Sequence, residues 1–483
     1  VEIVNELKRI VGPDRVSTSK NVCLSYAFNI GYTRDVLRIP DIVVMAETPE
    51  EVSEILKAAN RYKTPVTPKG AAGGAGTGGP LRGGILLDLA LMDKILLVDG
   101  VNMKAVAEPG CSFFKLSQEI FKKGMMLPIA AYGPGPSVVA SALTPPNGIG
   151  GAKYGPNINM VEGFEVVLPQ GDIIRVGSMA YADKDFGPYY RYITGPDLVG
   201  LFTKSNGAFG IITKIAYRCP HRPPHWAFQA YYWPSDKIEE LTKTLLEATA
   251  VEIFDVHFFD DWWLRKMAHK LPDDCYFVLE LAINAENKQE LTGKEEFAKE
   301  LCGKYGGTIL PGFAEGFYTR WPTYLWSLGF IEEDIPTTPE KRPRGHLVLL
   351  DEPIYPLSSL PEVYNKIMEL SRKHGIWSKE RGPGFDGFVL NPQVLCSPTP
   401  FSLDDSDPVM FEGFHRCQNE FREWFGNKGG TFQYRLPPEV PDFVWTNQIG
   451  AFNLLRSIKE VVDPNDILSP GTFELGGIKS ERI

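Results

Sequence analysis

Six glycines fall within the ten residues Gly70-Ala-Ala-Gly-Gly-Ala-Gly-Thr-Gly-Gly79, and no other feature of the chain constrains its fold as strongly. The tract lies between two predicted strands, one entering through Pro65-Val-Thr-Pro68 and one at residues 85–89. A loop stripped of most Cβ atoms can take positive φ, approach a ligand closely and turn consecutive N–H groups onto phosphate oxygens without a lysine. The tract lacks the Gly-Lys-Ser/Thr ending of a P-loop, and no helical pattern follows it. A P-loop nucleotidase and a dinucleotide-binding strand-to-helix turn both lose ground.

The flanking pattern predicts α+β packing rather than one doubly wound sheet. A strand at 42–45 precedes Thr48-Pro-Glu-Glu51, which supplies an N-cap, a first-turn proline and a capping-box glutamate. The helix continues to about Arg61 with Val52, Ile55, Leu56 and Ala59 on one face. Next come a strand at 101–107, a helix at 111–123 ended by Gly124, a hairpin about Pro169-Gln-Gly171 and a strand at 209–217. Two more turns suit close approach to a ligand, Pro145-Pro-Asn-Gly-Ile-Gly-Gly151 and Ser205-Asn-Gly-Ala-Phe-Gly210.

A proline-rich stretch at 219–224 opens a second α+β unit. It carries an aromatic strand at 226–233, a helix at 236–249 capped by Ser235, and strands at 253–259, 276–283 and 346–350. Helices follow at 360–374 and within 407–425, while 311–343 is too irregular to place. A last helix, about 447–462, is stopped by Asp463-Pro464-Asn465-Asp466 and then Ser469-Pro-Gly471, which reads as a docked tail. The expected division is 1–222, 223–440 and 441–483.

Composition narrows the partners. With 60 Asp plus Glu against 50 Lys plus Arg, the chain offers no general basic face for a phosphate backbone, so nucleic acid is not an expected partner. No apolar run approaches the roughly 20 residues of a membrane-crossing helix, and residues 1–11 read as a charged amphipathic stretch rather than a secretory leader. Seven scattered cysteines form neither CxxC-type ligand sets nor a disulfide framework, which points to a reducing, cytoplasmic location. His221 and His225 sit among prolines and read as loop packing, and no metal ligand set is expected.

Thr67-Pro-Lys-Gly70 with its glycine tract, Glu108-Pro-Gly110, residues 141–151, Thr194-Gly-Pro-Asp-Leu-Val-Gly-Leu-Phe202 and Gly207-Ala-Phe-Gly-Ile-Ile-Thr213 follow one another in a familiar order. It resembles the FAD-binding half of the vanillyl-alcohol oxidase and para-cresol methylhydroxylase superfamily. The tail Asp463-Pro-Asn-Asp-Ile-Leu-Ser-Pro-Gly471 is similar to that family's closing motif. The resemblance spans nearly the whole chain and is weakest in the middle. It implies a two-subdomain PCMH-type fold, with an α+β cap domain over the flavin and a C-terminal segment returning to the FAD domain. On the family pattern Lys69, Gly70, Ala71, Gly73, Gly74, Gly76, Thr77, Gly78 and Gly79 hold the FAD pyrophosphate. Pro109, Ser141, Gly148, Gly150 and Ile212 line the cofactor on the same pattern. Asn206 replaces a glutamate common in the family's turn and still suits a tight turn.

For chemistry, Tyr434-Arg435 in Thr431-Phe-Gln-Tyr-Arg-Leu436 offers a phenol and a guanidinium fork that suit a phenolate or a carboxylate. Phenol oxidisers of the family carry a Tyr-Arg pair in a comparable place, so the resemblance implies a phenolic or aromatic alcohol as the hydroxylated substrate. His415, ahead of that pair, is a candidate general base. Relatives acting on 2-hydroxy acids carry a Gly-Glu-His-Gly element, and neither Lys373-His-Gly-Ile376 nor Ser378-Lys-Glu-Arg-Gly382 completes it. A 2-hydroxy-acid dehydrogenase is therefore the second reading. A flavin-bearing electron-transfer subunit and an alkyl-transfer enzyme of the ether-lipid type complete the alternatives. An electron-accepting protein subunit and a homo-oligomer stay open as partners.

Overall fold

A computed structural model describes residues 2–27, 39–70, 80–130, 135, 137–143, 148–266, 271–315, 346–379, 381–404, 406–432, 445 and 448–476. Its first layer is a four-stranded sheet of β1 (Val16–Ser17), β2 (Ile42–Met45), β3 (Val66–Lys69) and β4 (Ile85–Asp88), in the order β1-β2-β4-β3. The three longer strands run parallel, so each needs a crossover, and the Pro49–Tyr62 helix supplies one between β2 and β3. That helix starts as its sequence predicts: Thr48 Oγ1 accepts from the Glu51 amide at 3.1 Å, and Glu51 Oε2 accepts from the Glu47 amide at 2.8 Å. Val52, Ile55, Leu56 and Ala59 are buried against Val44, Val66, Ile85 and Leu87.

The second sheet is antiparallel. Its strands are β5 (Ile95–Asp99), β6 (Lys104–Ala107), β9 (Val161–Val167), β10 (Ile173–Gly177) and β11 (Ile211–Arg218), ordered β10-β9-β11-β6-β5. A two-stranded piece, β7 (Ile129–Ala130) with β8 (Gly148–Ile149), stands beside it. The predicted strand at 101–107 is really the second arm of a hairpin. Asp99 Oδ1 accepts from the Val101 and Asn102 amides and Met103 takes φ 53°, so 100–103 is a turn and 95–99 is the missed strand.

The largest sheet holds eight strands: β12 (His225–Trp233), β13 (Asp255–Asp260), β14 (Phe277–Ala285), β15 (Thr308–Ile309), β17 (Pro353–Pro356), β18 (Asp386–Asn391), β19 (Val394–Cys396) and β21 (Thr431–Phe432). Their order is β15-β12-β14-β13-β18-β19-β17-β21, and β16 (His346–Leu349) pairs separately with β20 (Pro400–Leu403). Because side chains alternate along a strand, Val256, Phe258, Leu279, Leu281 and Ile283 share one face. They pack on the Ile238–Ala248, Lys288–Lys304, Leu360–Lys373 and Pro408–Asn427 helices. Among the described residues the other face meets β8 and the short Gly151–Tyr154 and Asp261–Lys266 helices.

Two local readings of this unit change. The first helix begins at Ile238, after a Pro234–Lys237 turn, and Ser235 caps nothing. The helix Lys288–Lys304 has no counterpart in the sequence reading. Of its residues only Ala298, Leu301 and Cys302 are buried, too thin an apolar stripe to show a period, yet Asn287 Oδ1 accepts from the Glu290 amide and Glu290 answers to Glu286. The irregular stretch 311–343 falls mostly outside the described residues. All seven cysteines are buried thiols, and burial pushes Cys219, Cys275, Cys302 and Cys417 up to about 12, so they pack as small hydrophobes.

After the Ile449–Val462 helix the tail returns to the first sheet. The Val66 amide donates to Ile467 O at 2.7 Å, and the Ser469 amide donates to Val66 O at 2.9 Å.

Candidate active site

β3 ends on Lys69, and the chain reaches Gly70 with no room for a side chain: a Cβ there would lie 2.9 Å from Ser137 Oγ and 3.2 Å from Pro109 O. Ser137 is completely buried and acts as the local fastener. Its hydroxyl donates to Pro109 O and accepts from the Val139 and Ala140 amides, and its carbonyl accepts from the Ser141 amide. Gly70, Pro109 and Ser141 therefore meet around one serine. The Ala142 carbonyl accepts from the Lys204 amide, which brings in the turn 204–207 with Lys204, Asn206 and Gly207 all at positive φ. Gly207 presses on Pro68, where a Cβ would lie 2.6 Å from Cγ.

Gly148 sits in β8 paired with Ala130, and Gly150, at φ 91°, would place a Cβ 2.8 Å from the Phe254 ring. Ile212 lies in β11 opposite Val166, in the apolar cluster that also holds Val138, Val139 and Ala142. Ala71, Gly73, Gly74, Gly76, Thr77, Gly78, Gly79, Tyr434 and Arg435 lie outside the described residues.

These surroundings fit a dinucleotide. Ser205 Oγ, Asn206 Oδ1 and Ser469 Oγ are buried and meet no hydrogen-bond partner among the described residues. Each such atom costs about 1–3 kcal/mol unless a donor or acceptor arrives, which a polar ligand in the cleft supplies. Lys69 faces the Tyr26 ring at 4.7 Å. Burial lowers its pKa while Asp88 pulls the other way, and Asp88 in turn accepts from Tyr26 Oη at 2.6 Å.

The tail is clamped by a group that sequence reading missed. Lys459 is 2% exposed and donates to Asp463 Oδ2 at 2.6 Å, Ala208 O at 2.9 Å and Leu468 O at 2.7 Å. Asp463 also accepts from the Ile467 and Leu468 amides. One ion pair thus ties the closing motif to the turn beside the cleft.

Above β8, the face of the large sheet opposite the four long helices carries Asp255, His257 and Phe259 on β13, Glu280 and Asn284 on β14, and Asp386 and Phe388 on β18. His257 Nε2 bonds Asp386 Oδ1, and its ring lies 3.8 Å from Phe388 and 4.1 Å from Phe259 between centroids. The Gly150 amide donates to Asp255 Oδ1 at 3.0 Å, joining the two units at a residue the sequence had assigned to the cofactor. Lys204 keeps exposed surface, and desolvation lowers its pKa. Its Nζ reaches Phe432 O at 3.5 Å. His415 does not join this group: it sits on the Pro408–Asn427 helix beside Phe411 and Phe414, on the opposite face of the sheet.

Residues 40–177 match the family model of an FAD binding domain, and residues 444–473 that of the C-terminal domain of FAD linked oxidases. The chain is 30% identical over 517 residues to the 4-cresol dehydrogenase [hydroxylating] flavoprotein subunit of Pseudomonas putida, covering 97% of this chain and 94% of that protein. It is 29% identical over 493 residues to glycolate oxidase subunit GlcD of Bacillus subtilis, covering 97% and 96%. Among solved structures, p-cresol methylhydroxylase with substrate bound superposes with a TM-score of 0.83 at 20% identity, over 98% of this chain and 96% of that one. With the cleft geometry, both domain models and a relative matched almost end to end in agreement, the chain belongs to the FAD-linked oxidases of the vanillyl-alcohol oxidase/para-cresol methylhydroxylase type, with the two-domain α+β fold of that superfamily and FAD as its cofactor.

Proposed function

We propose that this FAD-dependent oxidoreductase acts on a small phenolic or aromatic alcohol. The observation that carries this reading is the sheet face opposite the four long helices, where Phe259 and Phe388 flank the His257 ring and Trp262 and Trp263 join the same aromatic cluster, a lining in keeping with an aromatic substrate. The relative that acts on 4-cresol is in keeping with it. In this reading residues 1–222 hold FAD, 223–440 cap it, and 441–483 close the flavin domain.

Bound FAD supplies the two-electron acceptor. The chain orients the donor carbon and manages charge. Tyr434 and Arg435 hold the phenolate end, the aromatic face fixes the ring plane, and the packed sheet excludes water. A 2-hydroxy acid is the second reading, favoured by Lys204, an amine that reaches Phe432 O on the edge strand β21 and is suited to a carboxylate. The relative described as a glycolate oxidase subunit is in keeping with that reading.

The test is anaerobic mixing of the flavin-loaded protein with 4-hydroxybenzyl alcohol and, separately, D-lactate. Bleaching by the first alone supports the aromatic reading, and bleaching by D-lactate alone overturns it. Arg435→Gln is expected to lower kcat/KM about 10- to 100-fold through KM, the loss of one charge-assisted anion contact. An unchanged KM would remove Arg435 from the site.

A further inference from the structure

Oxidising a hydroxylated carbon releases a proton as well as a hydride, and the cap sheet holds a group placed to take it. We infer that Asp386, fixed by His257 and backed by Glu280, accepts the proton that the substrate hydroxyl loses. This deepens the reading above and rests on it.

The geometry is specific. His257 and Glu280 are register partners on adjacent antiparallel strands, and both are 0% exposed. Asp386 enters from the strand on the other side of β13 and keeps 11% of its side chain exposed, against none for His257, so it is the more accessible member of the pair. Neither carboxylate oxygen of Glu280 meets a hydrogen-bond partner among the described residues, although an isolated ionised carboxylate cannot persist in such surroundings. The cluster is coupled to the cofactor side through the Gly150 amide on Asp255.

In the proposed step the substrate C–H bond breaks with its electron pair leaving as hydride to the oxidised flavin. The O–H bond breaks, its proton passes to an Asp386 carboxylate oxygen, and its electron pair forms the carbonyl. Substrate is oxidised by two electrons and the flavin reduced by two. His257 is a positioning residue, holding the carboxylate by its Nε2.

Among the described residues the titratable and charged groups around the pair include Asp255 and Asp260 on β13, Glu280 on β14, Tyr232 on β12, Cys396 on β19 opposite Phe388, and Lys153 on the Gly151–Tyr154 helix. Burial raises the Asp386 pKa and His257 opposes it, while burial together with Asp255 and Asp386 holds Glu280 well above the usual carboxylate range. The acceptor is the ionised Asp386, so bleaching is expected to quicken as pH rises through its raised pKa and then level off.

The experiment is stopped-flow anaerobic bleaching by 4-hydroxybenzyl alcohol and D-lactate across pH, for the wild type, Asp386→Asn and His257→Gln, each checked for flavin content. With whichever substrate bleaches the wild type, Asp386→Asn is expected to slow the step about 100-fold and flatten its pH dependence. His257→Gln removes the group that opposes the burial effect, so its rising limb is expected to move to higher pH. Flavin-loaded variants with wild-type rates and pH profiles would overturn the inference alone. A wild type bleached by neither compound overturns the oxidation reading and the inference with it.

Discussion

Lys459→Met is expected to destabilise the protein by about 3–5 kcal/mol and to release its flavin, because it leaves the Asp463 carboxylate buried without its cation. The ammonium also satisfies the Ala208 and Leu468 carbonyls, and Asp463 carries the amides of Ile467 and Leu468. One substitution therefore undoes the closing turn, the 467–469 contact with Val66 and the support of the turn beside the cleft. A loss of that size is a large share of the roughly 5–15 kcal/mol that holds a domain together. Lys459→Met combined with Asp463→Leu should recover part of it, since an apolar pair avoids the stranded charge. Thermal unfolding followed together with released flavin fluorescence reads both effects. A single variant that melts with the wild type and keeps its flavin would show that the tail is held by something else.

Gly70→Val is expected to abolish FAD retention while leaving the cap sheet folded. Its first carbon would already sit 2.9 Å from Ser137 Oγ, and the branched methyls have no space beyond it. Ser137 must then release either Pro109 or the start of the Ala140–Leu143 helix, and both flank the cleft. The loss is geometric rather than electrostatic, so raising FAD concentration or lowering salt should not restore it. FAD recovered per chain after gel filtration is the readout, with the far-ultraviolet spectrum as the control for folding. Full FAD content in this variant would place the cofactor away from Gly70.

What the sequence made legible follows from short-range physics. Thr48, Gly124, Gly171 and the Asp463-Pro464 stop act within a turn of the chain, and the structure shows each cap or turn at its place. Gly70, Pro109 and Ser141 could be read as neighbours only through the family resemblance, and the structure gathers them around Ser137, a residue that no motif had marked. The acid–histidine cluster was missed for a different reason. Asp-Val-His-Phe-Phe-Asp260 and Phe-Val-Leu-Glu-Leu-Ala-Ile-Asn-Ala285 read as ordinary strands, and only their register aligns His257 with Glu280 and brings Asp386 from more than a hundred residues away. A glutamate and an asparagine two turns of the pleat apart within an otherwise apolar strand were the available signal, since polar groups on a doubly buried strand need a reason. His415 drew attention by its closeness in sequence to Tyr434-Arg435, and its helix carries it to the other face.

The visible spectrum of the purified, flavin-loaded protein, recorded without oxygen before and after adding 4-hydroxybenzyl alcohol, bears most directly on the proposed activity. The expected result is loss of the oxidised-flavin bands with one equivalent of aldehyde formed per flavin. An unaltered spectrum with that alcohol, in a protein whose FAD is reduced normally by dithionite, would contradict it.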